Sequence, residues 1–366
     1  MAAHVKNYTV TFCFIFLLIG SMLANILIPD RELSHSERRR LRSLPAFSRE
    51  RLLDGRLFLE LEKYFLDQFV LRDEFRSLKA LSRLYVFRQK DNNLIYLVGD
   101  GIYKMEFPLN ERSIYNAAGK FNEIYNLYLE GKKIYYAVIP DKNYFVAGPK
   151  GYLTLDYERM MKILKENMSE MEYIDLFQHL SIEDYYRTDL HWRQDRILHV
   201  AEILLARMGA APELREEYAR RVLYPFYGSY YGQSALPIKP DNLIYLTNRI
   251  IENARVYDHQ TKTYGRIYAP DLFQGIDSYD LYLSGARPLL TIENPGADGG
   301  RELIIFRDSF GSSIAPLMLE GYAKITLVDL RYISTRLLGD YIDFSGDQDV
   351  LFLYSTQILN NSRMLR

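Results

Sequence analysis

The chain reads as an α/β protein with a mainly parallel sheet, preceded by one membrane-spanning helix. Three observations predict this. Short apolar runs alternate with amphipathic stretches from residue 91 onward, and a single long uncharged apolar segment lies near the N-terminus. The composition, 48% hydrophobic and 25% charged over 366 residues, supplies enough apolar surface for a full core and excludes extended disorder. Formal net charge is −1, from 46 Lys plus Arg against 47 Asp plus Glu, so the charge signature of a nucleic-acid binder is missing and no such partner is expected. The single cysteine, Cys13, excludes an intramolecular disulfide and a thiolate-built zinc or iron-sulfur site.

Residues 8–29, YTVTFCFIFLLIGSMLANILIP, contain about 20 largely apolar residues without a charge, the length a helix needs to cross a bilayer. Residues 1–29 are therefore expected to be a short cytoplasmic end and a signal anchor. The alternative, a cleaved signal peptide, wants a shorter apolar core and a small-residue exit, which Met22-Leu23-Ala24 fits poorly. Orientation is contested by charge: Lys6 precedes the segment, whereas Arg31, Arg38, Arg39, Arg40 and Arg42 follow it, which taken alone holds the C-terminal side in the cytoplasm. Asp30, Glu32 and Glu37 are interspersed and weaken that count.

Residues 30–90 are expected to form a stalk and an N-terminal helix. Residues 30–54 are charged and Ser-rich without an apolar period; then Phe58, Leu61, Phe65 and Phe69, followed by Phe75, Leu78, Leu81 and Tyr85, recur at helical spacing on either side of a break near Val70. Such a stripe predicts a helix packed against the protein.

Residues 91–366 carry the α/β rhythm. Expected strands lie at 94–98, 134–139 and 173–177, and expected helices at 111–130, stopped by Gly131, at 156–167 and at 192–208. Residues 224–241, with Pro225, Gly228, Gly232, Pro237 and Pro240 among aromatic residues, predict a long structured loop. Residues 243–258 and 264–268 predict a β-hairpin, which makes 224–285 an insertion before a last α/β unit beginning at Glu302.

Six histidines exist; His4 and His35 lie beside the membrane segment, leaving His179, His191, His199 and His259 as candidate bases. His191 stands out in Asp189-Leu190-His191-Trp192, which holds the chain's single tryptophan. In extended geometry residues i and i+2 share a side, so the Asp189 carboxylate can hold one imidazole nitrogen of His191 and fix its tautomer. The alternative is an N-capping aspartate beside a packed histidine. The second constellation is an apolar run from Glu302 that ends in Arg307-Asp308-Ser309-Phe310 and continues into a helical pattern. A serine at that junction projects from the carboxyl end of a strand, where unpaired amides can hold an oxyanion; N-capping by Asp308 or Ser309 is the alternative.

Together these stretches resemble those of the DHHW proteins and of the polysaccharide O-acetylation proteins of the alginate and cellulose type. The resemblance extends to Val138-Ile139-Pro140-Asp141-Lys142, to residues 62–72, EKYFLDQFVLR, and to Leu351-Phe352-Leu353-Tyr354-Ser355-Thr356. It implies a three-layer SGNH-hydrolase-like fold, with Ser309 as acyl-accepting nucleophile, His191 as general base, Asp189 as its orienter and the Ser309 amide in the oxyanion hole. It further implies a polysaccharide substrate and a membrane-bound O-acyltransferase as the partner supplying acetyl groups; the histidines and the single cysteine form no metal cluster, and no cofactor is expected. That chemistry needs the C-terminal domain outside the cytoplasm, against the arginine count. Two departures stand out: Leu190 occupies the place of the first histidine of the family name, and Arg307-Asp308 replaces Gly-Thr before the serine, which puts the oxyanion partner in question.

Arg307 and Lys142 are further candidates for anion or substrate binding, set against an Arg-Asp turn pair and a solvated loop lysine. Trp192 and Tyr227, with Tyr230 and Tyr231, could offer flat apolar faces to sugar rings, set against ordinary loop packing. No G-x-x-x-x-G-K phosphate loop is present, and Gly99-Asp100-Gly101 is too short to indicate a nucleotide site. Three activities fit these residues: transfer of an acetyl group to a sugar, its hydrolysis from one, or polysaccharide binding without catalysis.

Overall fold

In the computed structural model, which describes residues 2–34, 36–210, 214, 216–297 and 300–366, the chain divides into two units. The first is Met1–Asn92 with Gly232–Pro237, the second Asn93–Tyr231 with Ile238–Arg366. His35 and the side chain of His4 lie outside the described residues.

The first unit begins with α1 (Ala2–Leu27), whose Val5–Leu27 stretch has a mean hydropathy of 2.3 and is long and apolar enough to cross a membrane. Part of the segment expected as a stalk is held by hydrogen bonds. Short strands β1 (Leu33–Ser34) and β2 (Arg39–Arg40) pair, and the Arg39 guanidinium forks onto Asp67 at 2.8 and 2.5 Å. That fork holds the Asp67 carboxyl down at about 2. Arg72 likewise donates to Glu37 at 2.7 Å. Helices α2 (Arg49–Leu53), α3 (Arg56–Gln68) and α4 (Arg72–Leu81) follow, broken at Leu71, whose φ of 58° cannot continue a right-handed helix. The break falls where the register change predicts it. The packing does not: Phe58, Phe65, Phe69, Phe75, Leu78 and Tyr85 are exposed, because nothing among the described residues of the first unit covers their face.

The second unit opens with a separate hairpin, β3 (Ile95–Val98) and β4 (Gly101–Lys104), turned by Gly99-Asp100. The expected strand at 94–98 therefore lies outside the main sheet. Helix α5 (Glu111–Ile124), capped by Asn110, relaxes into a wider turn over Tyr125–Leu129 before Gly131, whose φ of 83° ends it. Then come β5 (Ile134–Ile139), α6 (Lys142–Lys150), α7 (Tyr157–Asn167) capped by Asp156, β6 (Glu172–Ile174) and α8 (Leu198–Arg207). Helix α8 starts six residues later than its apolar period predicts, since Trp192 is held in a bridge with Tyr185 and Gln194–Arg196 form a single tight turn.

The expected loop and hairpin are rearranged. β7 (Ala219–Phe226) runs into the loop region, α9 (Ser229–Ser234) occupies its middle, and β8 (Asp241–Thr247) pairs back onto β7 in a two-stranded sheet of its own. After α10 (Arg249–Asn253), β9 (Arg255–Asp258) and β10 (Thr263–Gly265) form the antiparallel edge of the main sheet. β11 (Leu289–Glu293), β12 (Glu302–Arg307), α11 (Gly311–Ile314), β13 (Lys324–Val328), β14 (Gln348–Ser355) and α12 (Thr356–Leu359) complete the unit.

The eight-stranded sheet has the order β10-β9-β11-β13-β12-β14-β5-β6, and its five strands from β13 to β6 are parallel. Both faces are covered, which is why β12 and β14 read as nearly unbroken apolar runs. The two-residue period sorts them: Leu303, Ile305, Leu351 and Leu353 enter one core with α8, while Ile304, Phe306, Val350, Phe352 and Tyr354 enter the other with α5 and α7. The sheet therefore ends in a row of carboxyl termini, from β5, β12 and β14, held rigid from both sides.

Candidate active site

Ser309 stands two residues beyond the end of β12, and the turn that presents it is fixed by Asp308. One Asp308 oxygen accepts the Phe310 amide at 3.0 Å and the other accepts the Ser355 amide of β14 at 2.8 Å. Asp308 therefore closes the turn, while the helix that follows, with Phe310 at its N-cap, has a side-chain cap from neither Asp308 nor Ser309. Ser309 keeps its hydroxyl for other work, and its own amide has no hydrogen-bond partner among the described residues.

The hydroxyl meets His191: Ser309 Oγ and His191 Nε2 are 2.7 Å apart, and His191 Nδ1 lies 2.6 Å from Asp189 Oδ1. Asp189 Oδ1 also accepts the His191 amide at 2.9 Å, while Oδ2 accepts the Ser229 amide at 2.6 Å. Asp189 is fully buried, His191 nearly so and Ser309 half-buried. With Asp189 on Nδ1, the neutral imidazole carries its proton there and presents Nε2 as an acceptor to the serine. The pairing does not arise along a strand, as i, i+2 spacing suggests. Residues 187–191 bend, closed by the Tyr185–Trp192 bridge and by the Tyr186 amide on His191 O.

The imidazole is clamped from the sides. The Tyr279 ring stacks on it at 3.8 Å and 8°, and Phe310 leans on it at 4.8 Å. Ser313 Oγ accepts Tyr279 Oη at 2.9 Å and Trp192 Nε1 at 2.8 Å and donates to Phe310 O at 3.2 Å, which satisfies a buried hydroxyl completely. Behind the loop, Asp241 accepts the Thr188 amide and hydroxyl, both at 2.8 Å, and Arg187 Nε at 3.0 Å. Tyr279, Ser313, Ser229 and Asp241 carry no pattern in the sequence that marks them. Gly228 does: a Cβ there would collide with the backbone of Thr188 and Asp189, so this glycine serves close approach as well as loop punctuation.

Solved structures of other proteins share the architecture. A DHHW family protein from Eubacterium siraeum matches with a TM-score of 0.62 and 19% identity over 75% of this chain and 95% of its own. The fold is that of a DHHW family protein. Bacillus cereus PatB1 matches at 0.59 and 19% identity over 73% of this chain and 97% of its own, and a PatB1 structure with a sulfonyl adduct matches at 0.56. The chain matches no protein-family model and no curated protein sequence.

Within this DHHW-like fold the remaining candidates take other places. Lys142, at the start of α6, is fully buried rather than solvated, and Nζ donates to the carbonyls of Ile102, Tyr186, Arg187 and Asp189 at 2.7 to 3.0 Å. It also faces the Tyr103 and Tyr230 rings at 4.9 and 5.3 Å. Burial pushes its ammonium down to about 7, opposed by Asp189 and Asp241. Lys142 thus gathers the peptide that carries Asp189 instead of facing a substrate. Arg307 is also interior: it donates to Ser312 Oγ at 3.0 Å and lies 3.7 Å from Asp329, and burial lowers its pKa. Its contacts are with the floor of the turn, not with the Ser309 hydroxyl. Trp192 is fully buried beneath Phe310. Tyr227 is exposed and touches Tyr231 at 4.6 Å, whereas Tyr230 is buried with its hydroxyl on Gln357. His199 contacts His179 O and His259 contacts Thr291, and among the described residues no group of three His, Cys, Asp or Glu side chains is placed to hold a metal ion.

Proposed function

We propose that the protein is a membrane-anchored, extracytoplasmic serine O-acetyltransferase that acetylates a cell-surface or exopolysaccharide through an acetyl-Ser309 intermediate. The observation that carries this reading is the unbroken line from Ser309 Oγ through His191 to Asp189, with both bonds under 2.8 Å. His191 Nε2 takes the hydroxyl proton as Ser309 Oγ attacks the acetyl carbonyl. Charge develops on the carbonyl oxygen, which the Ser309 amide, without a hydrogen-bond partner among the described residues, would receive, and Asp189 stabilises the imidazolium. Collapse breaks the bond to the donor oxygen, which leaves with the proton from Nε2. A sugar hydroxyl then gives its proton to His191 and attacks the acetyl-serine, restoring the hydroxyl of Ser309.

Hydrogen-bond reach between Ser309 and His191 favours catalysis over polysaccharide binding alone. Asp308 supports it too, since the aspartate that sequence set against the oxyanion site is committed to the turn. An acetyl esterase uses the same residues with water as the acceptor. The apolar Val5–Leu27 helix is read as the anchor, and a membrane-bound O-acyltransferase as the partner that brings acetyl groups across.

The test is to incubate the full chain in detergent with 4-nitrophenyl acetate and to locate the adduct by peptide mass spectrometry. An acetyl group on Ser309 that disappears in Ser309→Ala and His191→Ala is expected. An adduct indifferent to both substitutions, or none, would sink the catalytic reading. A reporter fused after Arg366 that is active in the cytoplasm would remove the exopolysaccharide assignment.

A further inference from the structure

The bare apolar face of α3 and α4 is located by hydrogen bonds within its own unit. The Val70 amide, in the turn between the two helices, donates to Asn25 Oδ1 at 2.7 Å, and Asn25 lies in the last turn of the apolar α1 helix. Tyr64 Oη donates to Asp30 at 2.9 Å and the Arg31 amide to Gln68 at 2.9 Å, immediately beyond the span. The turn of this helical pair is therefore held at the level where the membrane-length segment ends. On α3, Phe58 and Phe65 are 62% and 57% exposed; on α4, Phe75 and Leu78 are 53% and 62% exposed. The Phe69 and Phe75 rings touch at 5.8 Å and join the two stripes into one surface. Aromatic and aliphatic side chains of this size, in a continuous patch, are rarely left to water.

We propose that α3 and α4 form an interfacial helical hairpin, with the Phe58 to Leu78 face seated in the headgroup and acyl boundary of the bilayer that α1 crosses. The occupant is phospholipid: the bilayer is the one apolar phase that the Asn25 tether brings to this height, and amphipathic helices lying in the interface bury this kind of face. Glu62 lies between Phe58 and Phe65 on the α3 stripe, which sets that helix toward the headgroups, while α4 carries no acid between Phe75 and Leu78. The hairpin would fix the height and tilt of the first unit above the membrane, something a single span leaves to rotation. The proposal rests on the reading of α1 as a retained anchor.

The experiment uses the full chain in a Cys13→Ser background, reconstituted in phosphatidylcholine and phosphatidylglycerol vesicles. Cysteines replacing Phe65, Phe75 or Leu78, one at a time, carry an NBD fluorophore, and Glu170→Cys in the second unit serves as the aqueous reference. Intact mass establishes first that α1 is retained. Blue-shifted emission at all three positions, quenching by doxyl-labelled lipid and iodide quenching several-fold weaker than at residue 170 are the expected results. Iodide quenching equal to the reference without a doxyl effect, in a chain whose mass is intact, overturns the hairpin and leaves the anchor standing. Cysteine cross-links between copies through these positions overturn it in favour of a second chain. A mass showing that α1 has been removed overturns both readings together.

Discussion

Helix α5 and the α3–α4 pair carry the same signal and meet different fates. In α5, Ile114, Ala117, Phe121 and Ile124 recur at helical spacing and all are buried against the sheet. In α3 and α4, Phe58, Phe65, Phe75 and Leu78 recur at the same spacing and all are exposed. Helical periodicity identifies a face that must leave water; it says nothing of what receives it. In the second unit the receiver is a sheet whose strands alternate to match. In the first unit no described residue of that unit receives it, and the proposal that a bilayer does rests on the bond from Val70 to Asn25.

The comparison sharpens most at the centre of the covered unit, where the Asp189 carboxylate is held by hydrogen bonds on both oxygens. Asp189 Oδ1 accepts two N–H groups of His191 and Oδ2 accepts the Ser229 amide. Asp189→Asn supplies one acceptor oxygen for these two sides, so either the imidazole tautomer or the Ser229 contact is lost. Acetylation of Ser309, followed as single-turnover release of 4-nitrophenol, is expected to fall by about 10³- to 10⁴-fold with the folded circular dichroism retained. A fall of less than tenfold would mean that the carboxylate serves the bend rather than the base.

Next in size is the apolar core itself. Phe121 is buried between Phe352 and Tyr354, at ring distances of 4.7 and 5.1 Å. Phe121→Ala should cost about 3–5 kcal/mol, read as a shift in the denaturant midpoint, because a sheet braced on both faces collapses poorly into the gap.

These two sites also measure what the sequence discloses. The meeting of Asp189, His191 and Ser309 is legible because a hydroxyl, an imidazole and a carboxylate each sit at a visible break between an apolar run and a helix. The strands of the parallel sheet are legible because burial on both faces removes polar residues from them. Tyr279, Ser229 and Asp241 are not legible, since they reach the site from 30 or more positions away through contacts that leave no period. Lys142 and Arg307 are hard to place from sequence for a related reason: a charged side chain next to a site fits ligand binding, a turn pair or solvent equally, whereas Lys142 is turned inward onto four carbonyls and Arg307 lies against Asp329. The bend of residues 187–191 is hidden because a D-x-H sequence fits a strand as readily as a turn.

Lys142 gives a smaller, pH-dependent effect. Its folded pKa is depressed to about 7 from the ordinary 10.5, so between these values the unfolded chain binds the proton that the folded chain does not. Its contribution therefore makes stability rise with pH across that window, by at most about 1.4 kcal/mol per pH unit, and is flat below it. Unfolding midpoints taken from pH 6 to 10 should show this slope in the parent chain and lack it in Lys142→Met. The same variant should acetylate Ser309 more slowly at every pH, because the Asp189 carbonyl has lost its clamp. An unchanged slope would assign the pH dependence to another group.

The smallest expected effect is the counterpart of Phe121→Ala on the uncovered face. Phe75→Ala removes the same ring, yet this ring is 53% exposed and, among the described residues, its aromatic neighbour is Phe69 alone. In detergent, where no bilayer is defined, its unfolding midpoint should move by no more than about 0.5 kcal/mol, as for other surface substitutions. Set beside the loss at Phe121, that near-zero value would establish that the two stripes differ in their receiver and not in their chemistry. A loss at Phe75 approaching that at Phe121 would mean instead that protein covers this face, and the contrast between the two units would close.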